Sequence, residues 1–68
     1  WTRWHSAAAS VARFVFEQGL ASDAEVVRLV NNVHYNRMFV EKLEAKPGAI
    51  GLAVEFTEHF QLAVASVS

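Results

Sequence analysis

Val26, Leu29, Val33, Asn36, Val40 and Leu43 recur at alternating steps of three and four through the middle of the chain. That spacing is the a/d seam of a helix that packs lengthwise against another helix. Ser22 with Glu25 three residues later forms a capping box, and Asp23 adds negative charge at the positive end of the helix dipole. Lys46 and then Pro47-Gly48 stop the pattern, so one long helix is expected over residues 22–45. Asn36 is the one polar residue in the seam. It resembles a register-setting position, although such residues are better attested at a than at d.

The flanking segments carry weaker patterns. Over residues 2–18, Trp4, Ala8, Val11 and Val15 lie along one stripe with Ala7 and Phe14 beside it, and Gly19 supplies a C′ residue. A first helix is expected there, although residues 13–16 also read as a short strand. Residues 49–68 fit two readings. As a helix, Leu52, Ala53, Phe56, Phe60, Ala63, Val64 and Val67 share a broad face opposite Glu55, Glu58, His59 and Ser66. As a hairpin turning near residues 57–59, Ile50, Leu52, Val54, Phe56, Phe60, Leu62 and Val64 share a face, but the turn lacks Gly, Asn or Asp. The helix carries its own cost at Gly51, about 1 kcal/mol relative to alanine.

The connections at residues 19–22 and 46–48 are short, which favours antiparallel neighbours. The expected architecture is a single small all-α domain over residues 1–68, three helices with the central one longest. The alternative is α+β, with the central helix packed on a C-terminal β-hairpin. The chain has 68 residues, of which 53% are hydrophobic, and no cysteine. A core of this size is marginal without a staple, so some apolar surface is expected to stay exposed or to meet a partner. Trp1 is an unusual natural first residue, which suggests a processed product or a fragment. The acid-free stretch from Trp1 to Phe16, with Arg3 and Arg13, is loosely transit-peptide-like, and also reads as an ordinary amphipathic helix. No apolar run is long enough to span a bilayer.

Candidate chemistry is sparse. Glu55 and His59, four apart on a helix and near Glu58, could share a metal ion, with His34 and Glu17 to complete the site. The carboxylate-bundle pattern needs Glu three residues before His, repeated on another helix; here Phe56 stands at that place and there is no second copy. No metal site and no cofactor are therefore expected. None of His5, His34 and His59 adjoins a nucleophile in an activating motif, and no enzymatic activity is expected. Residues 19–21 have the length of a helix-turn-helix turn. The following helix begins with Asp23 and Glu25, which repel phosphate, and Arg28, Arg37, Lys42 and Lys46 are interleaved with acids. With a net charge of −1, nucleic acid is not an expected partner.

Partnership is the stronger signal. With Val26 at a, Val27, His34, Tyr35 and Met38 fall at outer positions, and Phe39 lies beside the seam, so the central helix is covered on two sides. The cover is either another subunit or the flanking helices of the same chain. Trp1 and Trp4 are likewise either a lid on the core or an anchor in a partner. Trp1, Trp4, Val27, Tyr35, Met38 and Phe39 are therefore the candidate partner-binding residues. The expected function is a non-enzymatic helical interaction or structural subunit, in a larger protein assembly or a homo-oligomer. The competing classes are a small helical metal-binding protein and a small DNA-binding regulator of the antitoxin or repressor type.

Overall fold

A computed structural model describes residues 3–67. Among these residues every regular element is helical: α1 (Arg3–Ala7), α2 (Ala9–Glu17), α3 (Asp23–Asn31), α4 (Val33–Glu44) and α5 (Ile50–Val67). The first expected helix is present with one loosened residue. Ala8, at φ −75° and ψ −5°, still donates to the Trp4 carbonyl at 2.7 Å and accepts from Ala12 at 2.9 Å. Its stop is a Schellman motif. Gly19 takes φ +64°, Leu20 N donates to Val15 O, and Gly19 N donates to Phe16 O, the two bonds that satisfy the orphan carbonyls of a helix end.

The single long central helix is corrected. The capping box at Ser22 forms as expected, but the chain leaves the helix at Asn32, with φ −145° and ψ 110°. Three asparagines make the break. The Asn32 Oδ1 accepts from His34 N and Tyr35 N and so starts α4 afresh. The Asn31 Nδ2 donates to Val27 O, and the Asn36 Nδ2 donates to Leu29 O at 2.8 Å. Asparagine side chains offer the backbone local partners that compete with the helical ladder, and here they take both sides of the junction. The seam survives the break in alternate form. Leu29, Asn36 and Leu43 are fully buried, whereas Val26, Val33 and Val40 are half-buried.

The C-terminal hairpin is also corrected: α5 is one helix of 18 residues. Its inward face is Ala53, Phe56, Phe60 and Ala63, a helical spacing that a strand would split between two faces. Ile50, Val54 and Leu62, which the hairpin would have buried, are 71%, 55% and 70% exposed. The turn before α5 matches Pro47 and Gly48. Gly48 takes φ +77° and Ala49 N closes on Lys46 O at 3.2 Å, the arrangement of a type II turn.

The second segment is covered by the flanking helices of the same chain, α3 by α1 and α2, and α4 by α5, while α5 in turn lies against α1, α2 and α4. Phe56 is its centre, 5.1 Å from Phe39 and 6.5 Å from Phe60 between ring centroids. Val11, Val15, Leu29 and Leu43 complete the core. The radius of gyration, 11.0 Å, equals the value of about 11 Å for a compact chain of this length, so the bundle closes on its own core.

Candidate functional site

The bend at Asn32 folds α4 back towards α3 and sets residues from the two helices side by side. Glu25, on the first turn of α3, is the hub. Its Oε1 accepts from Ser22 N, while its Oε2 accepts from the Lys42 Nζ at 2.7 Å and from the Tyr35 hydroxyl at 3.2 Å. The Lys42 ammonium, and then the Ser22 amide, hold the Glu25 carboxyl down at a pKa of about 2, and Glu25 in turn raises that of Lys42. Arg28 lies over the Tyr35 ring, 5.8 Å from its centroid, within the range of a cation–π contact.

Beside this charged rim, Tyr35, Met38, Phe39 and Lys42 line a hollow of about 230 Å³. Phe39 is 2% exposed and forms its floor; Met38, at 62% exposure, stands at its edge. The spacing of 35, 38, 39 and 42 is a helical i, i+3, i+4, i+7 face, so α4 supplies the whole lining. A flexible thioether, an aromatic ring and an apolar floor inside a paired ionic rim can hold an apolar side chain of a partner.

The other sequence-derived candidates are distributed. Val27 is 59% exposed on α3. Trp4 is half-buried: its Nε1 donates to Leu29 O at 3.2 Å and its ring meets Phe60 edge-on at 6.0 Å. It is therefore a lid on the core. Trp1 lies outside the described residues. Trp4 also lines a separate groove with His5, Asn31, Val33, Val64 and Val67, and another runs along Glu44, Ile50, Val54 and Glu58. Phe39, expected at a partner surface, is a core residue that reaches the surface only through the hollow.

The proposed metal ligands do not converge. No group of three His, Asp or Glu side chains among the described residues comes together around one point, and His59 is stacked on Phe14 at 4.9 Å. No helix among those residues is long and apolar enough to cross a membrane. Sequence reading missed Glu25, Arg28 and Lys42 as a unit. Glu25 was legible only as a cap, and the contact to Lys42, 17 residues away, exists because the helix breaks. The double asparagine was the signal that could have revealed it. No protein-family profile, curated protein or solved structure matches the chain.

Proposed function

We propose that this chain is a non-enzymatic helical interaction module, a structural subunit whose α4 hollow receives an apolar side chain of a partner protein or of a second copy. The observation that carries this reading is Met38. A methionine left 62% exposed beside Tyr35, over the buried Phe39 and inside the Glu25–Lys42 rim, has the make-up of an interface centre: aromatic and thioether groups around a small apolar pocket. Further large apolar side chains stay exposed although the core is closed: Phe16, Val27, Ile50, Val54 and Leu62. Their exposure adds to the surface available for assembly.

The test is a photo-crosslinking amino acid placed at position 38 and, as control, at Glu55, which is exposed on another helix. Position 38 should give one dominant protein adduct and Glu55 none. Met38→Glu should abolish that association while leaving helical content and unfolding midpoint unchanged. Equal adducts from both positions, or association indifferent to Met38→Glu, would remove the reading.

A further inference from the structure

The break between α3 and α4 occupies a single residue, Asn32, and neither glycine nor proline occurs between residues 20 and 46. The three-four phase of Val26, Leu29, Val33, Asn36, Val40 and Leu43 continues across it. Straightening that one residue would therefore give a helix over residues 23–44, about 33 Å long at 1.5 Å per residue, with the whole seam on one stripe. We propose that α3 and α4 also exist as this single helix, and that two copies then exchange halves. In the exchanged dimer α4 and α5 of one copy pack on α1, α2 and α3 of the other.

The balance between the two forms rests on the hinge. Contacts between the halves, such as Lys42 with Glu25, Tyr35 with Glu25 and Trp4 with Phe60, are re-formed between copies, which is why exchange is a low-cost route to dimers. At the hinge, polar groups change partners. The amides of His34 and Tyr35, capped by Asn32 in the bent form, meet the carbonyls of Val30 and Asn31 in a straight helix. Leu29 O, held by Asn36 and Trp4 in the bent form, accepts from Val33 N instead. The buried Asn36 Oδ1 has no hydrogen-bond partner among the described residues, so the polar groups at this junction are not all satisfied in the bent form. A one-residue hinge between two strong helical segments is the arrangement that invites exchange.

This inference goes beyond the docking hollow and does not depend on it, since the lining of the hollow lies wholly on α4 and travels with it. The test uses the absence of native cysteine. In a Glu25→Cys, Lys42→Cys chain, a short bis-maleimide joins the two thiols within one molecule in the bent monomer and between molecules in the exchanged dimer. Sedimentation at millimolar concentration should show dimer, with the cross-link joining two chains. Asn32→Ala removes the α4 cap and favours the straight helix; about fivefold per hinge gives about 25-fold tighter dimerisation. Val33→Pro places proline at the first position of α4 after an extended residue, which suits the bend and forbids the straight helix. It should retain helical signal and lose the dimer. Cross-links confined to single chains in both the wild-type and Asn32→Ala hinges would overturn exchange, as would a Val33→Pro dimer of undiminished strength. If Val33→Pro does not fold, the Asn32→Ala comparison decides alone. A dimer whose cross-links stay within each chain and which Met38→Glu dissolves would overturn exchange while supporting the hollow.

Discussion

At the scale of single residues, burial sorts side chains that the sequence presents as alike. Leu29 and Val27 are two positions apart on α3, yet Leu29 is fully buried and Val27 is 59% exposed. Truncating Leu29 to alanine should cost about 2–5 kcal/mol, and Val27→Ala within about 0.5 kcal/mol. Phe56 is the sharper case, since it is fully enclosed and its ring packs between those of Phe39 and Phe60. Phe56→Ala should cost about 3–5 kcal/mol. A core this small supplies little more than that in total, so circular dichroism of Phe56→Ala should show an unfolded chain at 25 °C. A folded Phe56→Ala with an unchanged melting midpoint would mean that the aromatic centre is misplaced. The glycines divide in the same way. Gly51 is helical with open space where a Cβ would stand, so Gly51→Ala should raise stability by up to about 1 kcal/mol. Gly19 sits at φ +64°, where any Cβ is strained, and Gly19→Ala should lower stability by about 1–2 kcal/mol. Denaturant titration of the two variants should give shifts of opposite sign.

At the scale of elements, the α3–α4 pair is held by polar groups rather than by apolar burial alone. The Glu25 carboxyl, lowered from 4.5 to about 2 chiefly by the Lys42 ammonium, is the part of that pairing that titrates in acid. A carboxylate whose pKa is depressed on folding stabilises the fold fully above its unfolded pKa. That contribution fades as pH falls from about 4.5 towards 2. Unfolding midpoints should therefore drop across this window, and Glu25→Gln should show a flatter profile there. Identical acid profiles for the two proteins would show that the pair contributes nothing to stability. The two helix starts invite a further comparison. Ser22 and Asn32 each cap the backbone amides that follow, and losing either cap costs about 1 kcal/mol. Only the Asn32 change should alter association, because only Asn32 interrupts a continuous seam.

At the scale of the molecule, α5 joins the bundle, lying against α1, α2 and α4. Trp4 ties the start of the chain to that spine through Phe60 and to α3 through the Leu29 carbonyl. No helix has a core of its own, so the elements should melt together. Far-ultraviolet and near-ultraviolet circular dichroism should give coincident transitions, and Trp4→Phe should move both curves down by the same amount. A near-ultraviolet transition that precedes the loss of helix would reveal a loosely packed bundle instead.

Much of the local structure was determined by the sequence itself. The capping box at Ser22, the left-handed Gly19 and the Pro47–Gly48 turn all depend on residues within one or two turns of each other. Local sterics and hydrogen bonds decide such features. The choice of helix for α5 was only half legible, because Phe56 and Phe60 fit either reading. Packing decided it, by burying Ala53 and Ala63 with them and leaving Ile50, Val54 and Leu62 outside. The break at Asn32 was local in part, since Asn32 itself caps α4, but Trp4 and Asn36 reach the Leu29 carbonyl only when α1, α3 and α4 are assembled. The hollow of Tyr35, Met38, Phe39 and Lys42 has the same origin. Its lining lies on one helix and was legible as a face, but its rim pairs residues 17 apart and exists only where the chain turns back on itself.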